Sequence, residues 1–161
     1  MIKSIMAGFL IALGGIINLS IGGILGAFLF SLGLITILTF KLDLFTGKTG
    51  LLVEGTISNR DICRIWIGNF IGTLTGAALI MTMPGKQDLI AKAANIIAIR
   101  NNNSPLENLI LGIFCGLLMW IAVRGWFLST NYLFAIVPVA AFILAGFNHC
   151  VADMFYIGLG M

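Results

Sequence analysis

Five long apolar stretches divide the chain, and short polar segments separate them. A helix that crosses a bilayer needs about 20 mostly apolar residues. The pattern therefore predicts five membrane-spanning helices in a single transmembrane domain covering residues 1–161. Their approximate ranges are 5–19, 21–40, 65–83, 106–123 and 132–147. Pro84-Gly85 would end the third helix, and Ser104-Pro105 is suited to cap and begin the fourth.

Polar residues interrupt the end of the second stretch, between residues 42 and 50. Asp43 and Lys48 are charged there, and Gly47 and Gly50 relax the backbone. Irregular backbone at membrane depth is tolerated only where it faces protein or a water-filled cavity. The free N–H groups at the start of a following half-helix would also attract an anion. One interpretation is a pore-lining loop. The alternative is that the span simply ends here and its charges lie in a solvated turn.

The fifth stretch is broken within residues 146–155, where the single histidine, His149, lies between Asn148 and Asp153. An ionisable side chain inside a membrane span is costly and by default indicates a transport or proton-handling site. Histidine is the side chain whose unperturbed pKa lies nearest neutrality. Asp153 could act as a neighbouring acid or bind the broken backbone. These three residues form the predicted proton relay, and a purely structural histidine is the alternative.

Between the third and fourth stretches, apolar residues recur at helical spacing over 87–100. Lys86, Asp88, Lys92 and Arg100 supply the polar positions of this segment. The pattern favours a short amphipathic helix lying on the bilayer surface. An ordinary structured loop is the alternative.

Glycines recur every four residues in two of the stretches. Gly68, Gly72 and Gly76 share one face of the third, and Gly112 and Gly116 share one face of the fourth. Small residues let helix backbones approach closely where lipid supplies no hydrophobic drive. These faces predict a tight bundle or an oligomer interface, unless they only reflect a permissive composition.

Composition points to an integral membrane protein. The chain is 60% hydrophobic and 9% charged, with a mean hydropathy of +1.10, whereas a soluble domain carries roughly 25% charged residues. The basic residues behind the net charge of +3 are scattered, so nucleic-acid binding is not indicated. One histidine and three dispersed cysteines leave few groups for an enzyme or a metal site. We therefore expect no cofactor, no metal and no enzymatic activity.

Five segments resemble the formate/nitrite transporter family, and their order and spacing agree over nearly the whole chain. They are Phe30-Ser31-Leu32-Gly33-Leu34, Asp43-Leu44-Phe45-Thr46-Gly47, Gly68-Asn69-Phe70-Ile71-Gly72, Pro138-Val139-Ala140 and Gly146-Phe147-Asn148-His149-Cys150-Val151-Ala152-Asp153-Met154-Phe155. The resemblance implies an all-α, aquaporin-like helical bundle whose second and fifth spans are interrupted by pore-lining loops. It also implies a homo-oligomer, usually a pentamer, with one pore per protomer.

By the same resemblance, the chain would pass small monovalent weak-acid anions, such as formate, nitrite or hydrosulfide, across the inner or plasma membrane of a prokaryote. The pore loop would comprise Leu44, Phe45 and Thr46, with Lys48 following in the same loop. The cytoplasmic-side constriction would be formed by Phe30 and Leu34, and the outer one by Phe142 with Met119. His149 would lie between them. A proton supplied at or through this histidine would neutralise the anion, and the neutral acid would cross an apolar slit far more cheaply.

The chain departs from the usual residues of the family at three positions. Asn148 stands where the family usually has glutamate, Asp153 where it usually has asparagine, and Gly116 where it usually has asparagine. These departures bear on selectivity and on the protonation of the histidine. A sixth span is not visible before Met161. By the resemblance, the missing helix would leave a lipid-facing gap beside the pore. Either a neighbouring subunit covers this gap, or the chain is a truncated gene product with impaired function. The alternative function is a truncated, non-transporting remnant or assembly partner of such a channel.

Overall fold

The computed structural model describes residues 1–160, and within them the predicted all-α fold is confirmed. The helices are α1 (Ile2–Ile21), α2 (Gly23–Thr39), α3 (Phe45–Val53), α4 (Asn59–Met81), α5 (Gln87–Asn102), α6 (Pro105–Ser129), α7 (Tyr132–Leu144) and α8 (Cys150–Gly160). The order of a long helix, a half-helix, a break and a second half-helix occurs twice, in α1 to α3 and in α6 to α8. Such a repeat is typical of transporters that bind their substrate near the middle of the membrane.

Three of these helices, α1, α4 and α6, are long and apolar enough to cross a membrane, with 20, 23 and 25 residues. The apolar helices α2, α7 and α8 are shorter, and α7 has only 13 residues. At about 1.5 Å per residue, α7 covers roughly 20 Å of a hydrocarbon core about 30 Å thick. It therefore reaches across a bilayer only together with α8. The count of five spans stays a prediction.

The break after α2 is shorter than the sequence suggested. Only residues 40–44 are non-helical, and Gly47 and Gly50 lie inside α3 rather than in an irregular loop. Their role is close approach to α6. A Cβ on Gly47 would lie 3.1 Å from Val123, and one on Gly50 would lie 2.6 Å from the indole of Trp120. These glycines therefore let a half-helix pack against α6, where the sequence had suggested backbone relaxation.

The break in the fifth stretch is also shorter than the predicted 146–155. Helix α7 ends at Leu144, and α8 begins at Cys150, so residues 150–155 are helical. Gly146 has a φ of 71°, the Phe147 N–H donates to the Phe142 carbonyl, and the Gly146 N–H donates to that of Ile143. This is a Schellman termination, which uses a left-handed residue to satisfy the last carbonyls of a helix.

The same termination ends α2. Lys41 has a φ of 51°, the Leu42 N–H donates to Ile37, and the Lys41 N–H donates to Leu38. A residue other than glycine loses about 1 kcal/mol or more of stability in this left-handed conformation. The two helix ends thus share one backbone geometry. Only the second has a glycine at the left-handed position, so only the second could be predicted from the sequence.

Glycines mediate the contact between α1 and α4, which is the most extensive helix–helix contact within residues 1–160. Gly68 lies against Ser4, Gly76 against Ala12, and a Cβ on Gly72 would overlap the Ile5 carbonyl. The glycines of α6 differ. Within residues 1–160, nothing lies within 4 Å of a Cβ built at 112 or at 116. The glycine face of α4 is therefore buried inside this bundle, while that of α6 is open.

We expect Gly72→Ala to destabilise the bundle, because the added methyl group would overlap a backbone carbonyl that cannot move alone. Overpacking of this kind typically costs about 1–3 kcal/mol. Gly112→Ala is the matched control. It places the same methyl group in open space and is expected to be neutral or to stabilise α6 by up to about 1 kcal/mol. Thermal unfolding in detergent measures both, and equal midpoints for the two variants would contradict the role assigned to Gly72.

Helix α5 lies across one end of the bundle. Its buried face is marked by Ala93, and Gly160 of α8 packs against the backbone of Ala93 and Ala94. Lys92 donates from Nζ to the Leu19 carbonyl, 2.9 Å away, near the end of α1. The segment predicted over 87–100 is thus helical and tied to both α1 and α8. Its position on a bilayer surface stays a prediction.

Candidate functional site

The imidazole of His149 is buried at the second break, with 1% of the residue exposed. The backbone N–H of Ala152 donates to Nδ1 at 3.1 Å. Because Nδ1 accepts this bond, the hydrogen-bond network assigns the proton of the neutral ring to Nε2. Nε2 lies 3.0 Å from the Thr46 hydroxyl oxygen, to which it can donate. The ring therefore presents a polarised N–H to the other break of the chain.

This contact joins the N-terminal ends of two half-helices. Thr46 is the second residue of α3, which has 9 residues, and His149 immediately precedes α8, which has 11. The first N–H groups of a helix lack intrahelical partners and carry partial positive charge. Two such ends meeting at a part-buried hydrogen bond make a place where negative charge is favoured.

A line of apolar and aromatic side chains runs past the histidine. Phe142 stacks on the His149 ring, with centroids 5.1 Å apart and planes 20° apart. Phe30 meets Phe142 edge-on at 5.9 Å. Leu34 lies one helical turn beyond Phe30 on α2, and all three apolar residues are buried. Phe30, predicted for one constriction, therefore contacts Phe142, predicted for the other, and the role of both in a pore stays a prediction.

Met119, the fourth residue predicted for a constriction, is buried in the hydrophobic core. It does not line either of the two cavities described below, which are formed within residues 1–160.

Two cavities lie on either side of this line. One of about 310 Å³ is lined by Leu34 and Arg124, among others, and one of about 420 Å³ by Leu111 and His149. Leu111 and Arg124 are thirteen positions apart on α6, which places them about 20 Å apart along its axis. The cavities therefore open toward opposite ends of the bundle, with the aromatic line between them. We call them the α3-side cavity and the α5-side cavity.

The predicted pore-loop residues divide between these features. Leu44 is buried and lines the α3-side cavity together with Lys48. The Lys48 ammonium group lies 2.9 Å from the Asp43 carboxylate, and both side chains are about one-third exposed or less. Thr46 reaches His149, while Phe45 packs partly buried against the hydrophobic core.

The two polar residues predicted to work with His149 lie beside it but face other partners. The Asp153 carboxylate lies 2.9 Å from Nε of Arg100, with side-chain exposures of 16% and 17%. Asn148 donates from Nδ2 to Oδ1 of Asn108, 2.9 Å away. A direct relay between these three side chains is therefore not the arrangement seen. The ring of His149 instead has Thr46 and the α8 backbone as its hydrogen-bond partners.

Arg100 is a site residue that the sequence did not reveal. The sequence pattern places it only on the polar face of an amphipathic helix, yet it lines the α5-side cavity together with His149. The Asn108 amide fixes its position by donating to the Arg100 carbonyl at 2.9 Å. Spacing along the chain carries no signal of this contact, because it arises where the end of α5 folds over α8.

A family model described as "Formate/nitrite transporter" matches residues 1–161. The chain is 32% identical over 157 residues to the formate channel FocA of Haemophilus influenzae and 28% identical over 158 residues to that of Escherichia coli K12. Each match covers 86% of this chain and 54% of the relative. It is 27% identical to the nitrite transporter NirC of Salmonella typhimurium, over 95% of this chain and 65% of the relative. The chain thus spans about half the length of the formate channels it matches.

Two solved structures have the same fold. A pentameric formate channel with formate bound superposes with a TM-score of 0.84, covering 99% of this chain and 72% of that one. An ion channel described as belonging to the FNT family superposes with a TM-score of 0.83, covering 98% and 72%. Both are 24% identical in sequence to this chain, so their similarity establishes the fold alone.

Proposed function

Because the chain belongs to the formate/nitrite transporter family, we propose that it carries small monovalent weak-acid anions, of the formate, nitrite or hydrosulfide type, across a membrane. The observation that supports this most directly is the part-buried contact between Thr46 and His149, where two half-helix N-termini meet between two cavities. The curated relatives are channels and transporters rather than enzymes. The site accordingly works by binding and passage, without covalent chemistry.

The electrostatics of the site favours an anion as the transported species. An anion that leaves water for an apolar slit faces a large desolvation cost. Arg100 lines the α5-side cavity, where Asp153 balances its charge. The N-terminal end of α8 adds partial positive charge at the inner end of this cavity, and the N-terminal end of α3 adds more through the contact of Thr46 with His149. The anion is drawn as far as His149 by these groups, whereas a cation is repelled by them.

The histidine supports coupling to protons. The Nε2–H of His149 points to the gap between the half-helices and is the donor that an arriving anion would meet there. A weak-acid anion that gains a proton at this point becomes a neutral acid, which passes the apolar pair Phe30 and Phe142 without carrying charge. The proton is a hydronium proton from the solution on the side of the anion. It adds to the anion while the Nε2–H group holds it, and it is released when the neutral acid dissociates in the other cavity.

The expected setting is a homo-oligomer in the inner or plasma membrane of a prokaryote. One solved structure with this fold is described as a pentameric channel, and the matched relatives come from bacteria. The alternative role, a non-transporting assembly partner, draws support from the open glycine face of α6.

Flux into liposomes that contain the purified 161-residue chain tests the proposal. We expect formate, nitrite or hydrosulfide uptake above that of empty liposomes, increasing when a pH gradient supplies protons on the side of the anion. Chloride, which is also a small monovalent anion but accepts no proton near neutral pH, is the matched comparison and should pass more slowly. Protein that is inserted and oligomeric but passes none of the weak acids would favour the assembly-partner role instead.

A further inference from the structure

The break between α2 and α3 is held by one side chain that lies outside it. Asn69 of α4 is completely buried. Its Oδ1 accepts a hydrogen bond from the Phe45 N–H at 2.7 Å. Its Nδ2 donates to the Asp43 carbonyl at 2.9 Å and to the Ser4 carbonyl at 2.7 Å. A single amide group thus binds α1 and both sides of the residue that precedes α3.

These bonds replace a local helix cap. Leu44, the residue that precedes α3, has no side-chain oxygen with which to cap the helix. The first N–H groups of a helix need partners when they are buried. Asn69 supplies one from α4, and by binding the Asp43 carbonyl as well it fixes the backbone on each side of Leu44. Thr46, which contacts His149, is the residue directly after Phe45.

The close approach of α1 and α4 brings this amide into reach. Gly8 of α1 lies against the Asn69 backbone, and a Cβ at this glycine would overlap the Asn69 carbonyl group. On the other face of the contact, Gly68 lies against Ser4. The glycines that pack these helices together therefore also place the Asn69 side chain between α1 and the break.

We propose that Asn69 is a positioning residue of the pore, whose amide sets the backbone of residues 43–46 and thereby the discrimination between small and larger anions. The effect on discrimination rests on the function proposed above, whereas the effect on the backbone does not. Asn69 acts through Leu44 and Thr46, which face the α3-side cavity and the histidine.

The matched control is Thr73, one turn along the same helix. It is equally buried, but its hydroxyl donates only to the Phe70 carbonyl of its own helix. Thr73→Val therefore removes a buried polar group from α4 without touching the break. Asn69→Leu keeps the shape of the asparagine side chain and removes all three bonds. Asn69→Ser is the second variant, because it is too small to clash and too short to reach these partners.

Amide hydrogen exchange of the whole chain in nanodiscs tests the backbone part directly. In Asn69→Leu and Asn69→Ser, exchange of the peptide covering 42–47 should become at least about tenfold faster than in the wild type, because protected amides lose their fixed partners. The peptide covering 146–151 is the internal reference and should change less. Thr73→Val should leave both peptides at wild-type rates.

Flux tests the functional part in the same preparations. We expect the ratio of formate to lactate uptake to fall about tenfold in the Asn69 variants and to stay unchanged in Thr73→Val. Uniformly slower uptake of both anions would indicate a merely structural role and would overturn the proposal. So would wild-type exchange over 42–47 in a folded Asn69 variant, or an equal change in Thr73→Val. If the wild type itself passes no anion, the proposed function fails, and exchange alone decides whether Asn69 holds the break.

Discussion

Replacing His149 by phenylalanine is expected to abolish pH-driven formate uptake while the chain still inserts and assembles. Phenylalanine fits the buried space and keeps the stacking on Phe142, but it removes the N–H that faces Thr46. A hydrogen bond to a charged group is worth about 1.5–3 kcal/mol, which corresponds to roughly a tenfold to hundredfold loss of flux. Without the Nε2–H group, nothing holds the anion while it takes up a proton from solution, so uptake should fall to the background of empty liposomes.

A control for this variant must remove a hydrogen-bonding group without touching the pore. Thr75→Val meets that need, since the Thr75 hydroxyl is exposed on α4 and donates only to the Ile71 carbonyl. Its uptake should equal that of the wild type. Size-exclusion profiles and thermal unfolding in detergent would establish that both variants assemble. Wild-type, pH-dependent uptake by His149→Phe would rule out the histidine mechanism.

The ion pair of Arg100 and Asp153 should give opposite results when its two members are neutralised singly. Arg100→Gln leaves an unpaired carboxylate beside the α5-side cavity, so an approaching anion is repelled by a charge that the wild type balances. Charges that line a narrow cleft change the rate of capture by about tenfold or more, and we expect a loss of that size. Asp153→Asn leaves the guanidinium group unpaired and should preserve or increase uptake at low anion concentration.

The ionic strength and a surface pair provide the controls for this experiment. The loss in Arg100→Gln should shrink as salt increases, because salt screens the long-range repulsion of the anion. Arg64→Gln removes the same charge from an exposed pair with Asp61, whose nitrogen and oxygen lie 3.7 Å apart, and should have little effect. If both single variants of the buried pair lose uptake and thermal stability equally, the pair serves the fold rather than the anion.

The start of a helix could be predicted where the sequence next to it contains capping residues. The fourth stretch is preceded by Ser104-Pro105, and the structure begins α6 at Pro105 with a complete capping box between Ser104 and Glu107. The resemblance to the family is confirmed by the match over the whole chain. Both rest on local or linear patterns, which the sequence contains in full.

The structure has a non-helical segment within or next to each predicted interruption, over residues 40–44 and 145–149, and the rest of each predicted interruption is helical. Gly47 and Gly50 suggested loose backbone, since glycine is permissive in isolation. In the structure they are helical, because the absence of a side chain lets α3 approach Val123 and Trp120 of α6. Conversely, Lys41 adopts a left-handed conformation that its sequence does not suggest. Backbone conformation at such points depends on neighbours that are distant in sequence.

By itself, the sequence determined that this is an all-α membrane protein of a known transporter family, with polar interruptions near Thr46 and His149. Apolar length, composition and motif spacing suffice for those conclusions, because each is a property of contiguous residues. Only the tertiary structure decided which polar groups meet. It paired Asp153 with Arg100 rather than with the histidine, and it brought the amide of Asn69 to the first break. A buried polar group forms a hydrogen bond with whichever partner the packed helices place within about 3 Å. The spacing of residues along the chain does not determine how the helices pack, so it does not predict these partners.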